Sequence, residues 1–343
     1  KMERFKEAKT LFEEVLIKDP PKSVRKNIIK MLAVVNGSLK KHKFTGSITT
    51  GYNHDTNANS AANSGTIIVN DVPLQLSSGS TTKKDGHAFI ATTIGHSYKF
   101  DDLDDNTGLS LDSSATFYRT QQGRLNNLDL SLLGIKTGPV INFKKQKTKV
   151  GFTGAVNWIQ LDSSDYLRTK SWELSANKQV SKRFSMGASL TSEQRQFYDS
   201  ASIKTYAART GNAWQYKFTG SYLLSPKSMF NAEVITRNED ARSKYHGLSS
   251  TQINANYLRQ MPYDVIANIL LSLKKSYYDA ADPLVSNTIF RHDHEKSSTI
   301  TLAKKLPYNV TASIGYQYKN NDSNVINYDY TNHRLSTTVG WSF

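Results

Sequence analysis

Residues 214–224 read Trp214-Gln215-Tyr216-Lys217-Phe218-Thr219-Gly220-Ser221-Tyr222-Leu223-Leu224. Trp214, Tyr216, Phe218, Gly220, Tyr222 and Leu224 fall on one parity, against Gln215, Lys217, Thr219 and Ser221 on the other. A period of two is that of a β-strand with one dry face and one wet face. The same pattern continues on both sides.

After Lys43 the period changes from 3.6 to 2 and stays there. Phe44, Gly46, Ile48, Thr50 and Tyr52 form the apolar face of a first strand, with Thr45, Ser47 and Thr49 opposite. Ala88, Ile90, Thr92, Ile94 and Tyr98 follow, then Leu109, Leu111, Ala115 and Phe117. Leu128, Leu130 and Leu132 are taken as the dry face of the fourth. Val150 to Trp158, Trp172 to Ala176 and Phe184 to Leu190 come next. Beyond residue 224 lie Phe230 to Val234, Ile253 to Tyr257, Val265 to Leu273, residues 298–306, Val310 to Tyr318, and Leu335 to Phe343. Fourteen such segments can be counted. Several run past ten residues, beyond the ~9–11 that a tilted strand needs to cross a bilayer.

A sandwich would turn the polar face to water, and a membrane barrel would turn it into a lumen. The connections discriminate between the two. Long ones (about 53–85, 198–209, 239–249 and 278–288) alternate with short ones such as Ser225-Pro226-Lys227-Ser228 and Leu306-Pro307-Tyr308-Asn309. Alternation with an even strand number predicts an all-β fold: a 14-stranded antiparallel outer-membrane barrel with short periplasmic turns. Tyr52, Tyr118, Tyr166, Tyr198, Tyr277, Tyr278, Tyr318, Tyr328 and Tyr330 gather near the long-loop ends, as an interfacial girdle would, although Tyr also has high strand propensity.

Residues 1–43 differ. Phe5, Ala8, Leu11, Phe12 and Val15 share one helical face, Asp19-Pro20-Pro21 ends that helix, and a second runs from about Ser23 to Leu39. The spacing of Ala8, Leu11-Phe12, Val15-Leu16 and Pro20 resembles the end of a tetratricopeptide repeat. Two parts are therefore expected: 1–43, a helical repeat remnant in the periplasm, and 44–343, the barrel. The opening Lys-Met-Glu-Arg is amphipathic and is not a signal peptide, so a mature or truncated chain is expected.

Composition agrees with these parts. Of 343 residues, 38% are hydrophobic, mean hydropathy is −0.53, and no run approaches the ~18 apolar residues of a membrane helix. Phe, Trp and Tyr make up 10%, which argues against disorder. The net charge is +15, of which residues 1–43 carry +7. A basic balance suits nucleic acid, anionic headgroups or acidic partners, but no nucleic-acid motif accompanies it. Cysteine is absent, which removes disulfides, zinc–thiolate sites and cysteine nucleophiles.

Catalytic and cofactor signatures are missing: there is no HExxH, G-x-S-x-G, Walker A or dinucleotide fingerprint. His292-Asp293-His294 lacks a third ligand at a familiar spacing, and a polar pair at a loop end is the expected reading. Asp101-Asp102-Leu103-Asp104-Asp105-Asn106 lacks the Gly and distal Glu of an EF-hand loop and reads as a solvated turn. Neither a metal nor a cofactor is expected.

One junction carries more information. The first strand ends Gly51-Tyr52-Asn53-His54-Asp55-Thr56-Asn57-Ala58-Asn59, where Asp55, Asn57 and Asn59 suit a sharp turn. A repeat-type helix pair, this G-Y-x-x-D-x-N-x-N run, a long loop and a terminal Trp341-Ser342-Phe343 together resemble the surface lipoprotein assembly modulator (Slam) family. The resemblance implies an outer-membrane translocator with an N-terminal tetratricopeptide domain, most of which has no counterpart here. It implies as passenger a surface lipoprotein or a secreted haem- or metal-binding protein. Further implied partners are outer-membrane lipid and lipopolysaccharide, periplasmic chaperones, and the barrel-assembly machinery reading Trp341 and Phe343. Export would be passive, through a lumen lined by Gln215, Lys217, Thr219, Gln317 and Lys319, with residues 1–39 or the 53–85 loop as plug. An exopolysaccharide export porin, a barrel enzyme and a soluble β-rich binding protein are the alternatives.

Overall fold

The computed structural model describes residues 2–77, 81–200 and 203–343. Two helices come first, α1 (Met2–Ile17) and α2 (Lys22–Leu39). They pack on each other, burying Ile28 and Val35, and Arg25 reaches back to Asp19 at 3.0 Å across the Pro20-Pro21 break. The side chain of Phe5, expected on the apolar stripe of α1, lies outside the described residues. Neither helix is long and apolar enough to cross a membrane.

The chain then enters the wall with β1 (His42–Asp55). A small hairpin, β2 (Thr66–Val69) and β3 (Val72–Gln75), interrupts the long first loop. The wall resumes with β4 (Asp85–Lys99), β5 (Thr107–Gln122), β6 (Leu130–Phe143), β7 (Thr148–Leu161), β8 (Ser164–Gln179) and β9 (Phe184–Phe197). It continues through β10 (Gly211–Ser225), β11 (Ser228–Glu239), β12 (Leu248–Gln260), β13 (Val265–Ala281), β14 (Phe290–Leu306), β15 (Val310–Ser323) and β16 (Tyr330–Ser342). Each strand pairs antiparallel with its sequence neighbour, and β1 pairs with β16, so fourteen strands close a barrel with no free edge.

Closure fixes which way every side chain points. Ile48 lies opposite Trp341 and Thr92, and Phe218 opposite Val234 and Ala188. These positions form the exposed outer surface, where Phe44, Phe218, Leu273 and Leu335 are each more than half exposed. A soluble protein would not leave so continuous an apolar surface bare. The other parity faces a polar interior, so the wall has no dry core of its own. Among the described residues, apart from Ile28 and Val35 of α2, the buried apolar residues are Ala213 on β10 and Ala62, Val285 and Val325 in the long loops.

Three expectations are corrected by the register. Leu130 and Leu132 face inward, and the outward residues of β6 are Leu133 and Ile135. The run Leu130-Ser-Leu-Leu-Gly-Ile is apolar on both parities, so alternation alone chooses the wrong face. The tyrosines split. Tyr52, Tyr277 and Tyr318 face outward, whereas Tyr118 packs toward inward-facing Phe89 (6.0 Å between rings) and Tyr278, Tyr328 and Tyr330 line interior cavities. Finally, the alternation of connections is not strict. β7 and β8 join at the long-loop end through Asp162-Ser163 alone, both with positive φ (51° and 59°), as a two-residue hairpin turn requires.

Candidate functional site

The interior and its cover form the candidate site. A cavity of about 800 Å³ lies against β10–β16. Its wall is a lattice of amides and hydroxyls. Gln252 donates to Asn254 Oδ1 (2.9 Å) and Ser272 Oγ (3.1 Å), Asn254 to Glu233 (2.8 Å), and Asn256 to Asn268 (2.8 Å). Thr219, Gln317 and Lys319 border this cavity, and Gln215 and Lys217 share the parity of Thr219 on β10.

The Gln, Lys and Thr lining expected from the sequence is only part of the lumen. All five glutamates of the wall, Glu173, Glu193, Glu233, Glu239 and Glu295, sit on inward parity. Lys136 pairs with Glu173 (3.2 Å), Lys319 with Glu295 (2.7 Å), and Arg237 with Glu193 (2.6 Å). Much of this surface is thus hydrogen-bonded to itself or charge-paired, while Leu270 and, nearer the turn end, the inward row Leu223, Met229 and Leu258 add apolar groups.

The G-Y-x-x-D-x-N-x-N run builds the cover. A Cβ on Gly51 would overlap the Thr337 carbonyl oxygen and the inward Phe89 ring, so glycine is required there. Tyr52, facing out, lays its ring across Gly86. Asp55 is buried at the β1–β16 seam. Its Oδ1 accepts from Arg334 Nε (2.8 Å) and Asn332 Nδ2 (2.6 Å), and His87 Nδ1 lies 3.7 Å from Oδ2. Asn57, also buried, donates its backbone N–H to Asn332 Oδ1 (2.9 Å) and its side-chain amide to the Ala61 and Thr331 carbonyls. Its own Oδ1 accepts from Ala61 N (3.0 Å), closing a five-residue ring that turns the loop inward. Asn59 ties the two stems together, donating to Thr81 O (3.0 Å) and accepting from Lys83 N (2.9 Å). Asn57, Ala58 and Ser60 thereby border the lumenal cavity.

Further along, the loop is fastened to distant connections. Asn63 pairs with Asp329 and Thr331, and Asn327 brackets Ile68 by accepting from its N–H (2.7 Å) and donating to its carbonyl (2.8 Å). At the hairpin tip, Asn70 N and Asp71 N donate to Leu284 O (3.1 Å) and Val285 O (2.8 Å). The long first loop is therefore pinned over the β13–β16 side of the barrel mouth by the β13–β14 and β15–β16 connections.

Beside this cover lies a second cavity of about 370 Å³ with charged and aromatic walls. Arg291 forks onto Asp293 (3.0 and 2.5 Å), its guanidinium stacked over Tyr328 (3.4 Å) and Tyr278 (4.4 Å). Arg195 pairs with Glu239, which also accepts from Arg237 (2.6 Å). Burial holds His246, in the turn after β11, below its ordinary pKa range, with Arg209 adding to the effect.

Other expected features fall elsewhere. His292 and His294 point outward while Asp293 points in, so the triplet cannot converge on one ion. Among the described residues no group of three or more His, Cys, Asp or Glu is placed to hold a metal. The acidic run 101–106 is a turn at the opposite end. The Asn106 N–H donates to Asp104 (2.6 Å), which holds that carboxyl below its usual range. Trp341 and Phe343 pack on each other (5.0 Å), with the Phe343 ring on Gly46 across the closing seam.

An exposed apolar exterior around a polar lumen defines a membrane-spanning barrel of the outer-membrane type. The surface lipoprotein assembly modifier family matches residues 43–343, and the chain belongs to that family. No curated protein sequence matches it significantly. Among solved structures it is similar to the outer membrane channel DcaP of Acinetobacter baumannii, at 9% identity and TM-score 0.49, covering 88% of this chain and 97% of that one. It is also similar to a bacterial polysaccharide outer membrane secretin (8% identity, TM-score 0.44, covering 87% and 98%). A third is OccK5 (OpdH) of Pseudomonas aeruginosa, with 10% identity, TM-score 0.41, and 88% and 98% covered.

Proposed function

We propose that this barrel moves surface lipoproteins, or related secreted haem- or metal-binding proteins, through the outer membrane. The observation that carries the reading is the lumen between β10 and β16. A passenger crossing it meets many hydrogen-bonding groups that are already satisfied by one another, which weakens any hold on it. In this reading the short turns and residues 1–43 are periplasmic, and the pinned first loop covers the outer mouth. The passenger enters at the turn end, displaces the cover, and is drawn outward by folding or capture at the surface, with no nucleotide required. Periplasmic chaperones would deliver it to the helical segment. Trp341 and Phe343, at the end of an alternating strand, are the signal for barrel assembly.

A second reading, polysaccharide export, is favoured by the inward aromatics Tyr278, Tyr328 and Tyr330 beside carboxylates, since sugar rings stack on such faces. One experiment separates the two. Surface proteins and surface polysaccharide are compared in cells with and without the gene. Lipoprotein export predicts that one or more lipoproteins leave the protease-accessible surface while their total amount is kept. An unchanged lipoprotein set with lost polysaccharide would replace this reading with the second.

A further inference from the structure

The outer surface of the barrel changes character at one height. On β13 the outward series runs Ile269, Leu271, Leu273 and then Lys275 and Tyr277. On β14 it runs Leu302, Ile300, Ser298 and then Lys296, His294 and His292. Pairing brings these together: Lys275 lies opposite His294, Lys296 opposite Leu273, and His292 opposite Tyr277, with 6.3 Å between the last two rings. The His292 and His294 rings are 6.0 Å apart. Four basic side chains thus share one outward patch on two adjacent strands.

No ion pair ties up the two lysines of the patch: neither Lys275 nor Lys296 has an ion-pair partner among the described residues. The carboxylates on this face are Asp322, opposite His294, and Asp279 nearer the rim. Every wall glutamate points the other way, into the lumen. The same border elsewhere carries Arg168 and Lys170 on β8, the former over the Trp158 ring at 5.7 Å, and Arg119 on β5. A cation just beyond the hydrocarbon edge sits at headgroup level, where anionic lipid headgroups supply counter-charge.

We propose that the β13–β14 patch, Lys275, His292, His294 and Lys296 with Tyr277, is a binding site for the phosphate groups of a phosphorylated glycolipid in the outer leaflet, of the lipid A type. The site rests on the orientation given above, in which the loop end faces outward. Lysine ammonium groups engage phosphate as point charges, and the Tyr277 ring lies against the sugar–acyl boundary.

The test uses the full chain in detergent micelles, titrated with bisphosphorylated lipid A and read by native mass spectrometry. Dephosphorylated lipid A and inorganic phosphate serve as separate arms. Removing both lysines and one imidazole, K275Q/H294N/K296Q, is expected to weaken lipid A binding by at least about tenfold, given roughly fivefold per cation near a charged surface. K178Q/K304Q, at the opposite border, is expected to leave it unchanged, and dephosphorylated lipid A is expected to bind both proteins weakly. Equal binding by the triple variant overturns the site, as does equal loss in the control or indifference to the phosphates. Full competition by millimolar inorganic phosphate would make it an ion site and overturn the lipid assignment. Orientation is read separately. The chain has no cysteine, so Asn287→Cys on the exposed β13–β14 loop is a unique target for an impermeant maleimide on intact cells. Absence of labelling would overturn the orientation, whereas the micelle titration does not depend on it.

Discussion

The two ends of the barrel are closed by different chemistry. At the turn end, strands return through two to seven residues, held by local backbone geometry. Tyr263-Asp264 and Tyr308-Asn309 both sit in the left-handed region, with φ between 57° and 62°, and each tyrosine is almost fully exposed. On the β1–β7 side that end holds a cavity of about 690 Å³ bordered by Lys43, Lys99, Lys144, Lys149, Asp102 and Asp112, with Lys144 paired to Asp102 (2.6 Å). At the loop end, closure is long-range: Asp55, Asn57, Asn63 and Asn327 each bond to groups on other connections or across the β1–β16 seam, and Asn59 ties the stems of the first loop together. One end is a set of short returns, where the α1–α2 segment also joins the wall through the start of β1. The other is a fastened lid whose fasteners are side chains, and side-chain bonds can be exchanged for those of a passenger.

The sharpest way to break this contrast is to remove the lid. Deleting residues 60–80 takes away the hairpin and its pins to Asn327, Leu284 and Val285 while sparing β1 and β4. Conductance in planar bilayers is expected to rise severalfold, because a barrel of fourteen strands encloses more space than its own side chains fill. Unchanged conductance would show that the loop is ornamental and that the lumen is blocked at another level.

A smaller effect is expected at the root of the lid. Asp55→Ala leaves Arg334 and Asn332 without their acceptor in a buried seam. Breaking such a pair from one side typically costs ~3–5 kcal/mol, and because Arg334 keeps partial solvent access the expected loss is about 2–3 kcal/mol. Denaturant unfolding followed by tryptophan fluorescence measures it. Asp55→Ala combined with Arg334→Met should recover part of the loss, since the stranded charge is then gone. A double variant as unstable as the single one would mean that Asp55 acts through His87 or the loop, and not through the seam.

How much of this was readable beforehand follows the range of the interactions. The fourteen strands, their boundaries and most of their outward faces are local periodicity, and Trp214 to Leu224 states the rule in eleven residues. Local periodicity failed at Leu130–Ile135, where both parities are apolar, and with Tyr118, Tyr278 and Tyr330, because a wet lumen accepts tyrosine as readily as an interface does. The special character of Asp55, Asn57 and Asn59 showed as turn chemistry. Their partners Asn332 and Arg334 did not, because barrel closure brings residues from opposite ends of the chain together, and His87 did not, because it reaches Asp55 only through β1–β4 pairing across the long first loop. Gly86 under Tyr52 belongs with them: its only signal is a glycine at the start of a strand.

The turn end offers the smallest effect and the cleanest control on the comparison. Tyr308 holds φ at 62° and exposes nearly its whole ring, so its side chain contributes little packing and its backbone occupies a region that L-residues avoid. Tyr308→Gly removes that strain but adds freedom to the unfolded chain, and these terms oppose each other at ~1 kcal/mol or less. Unfolding stability should therefore shift by under about 1 kcal/mol, with conductance unaltered. The same measurements on Asp55→Ala should move the first quantity clearly. If Tyr308→Gly instead costs as much as Asp55→Ala, the exposed ring at the turn end has a contact of its own. The lipid and any partner at that end would then be the surfaces to test, and that end could no longer be treated as a plain return.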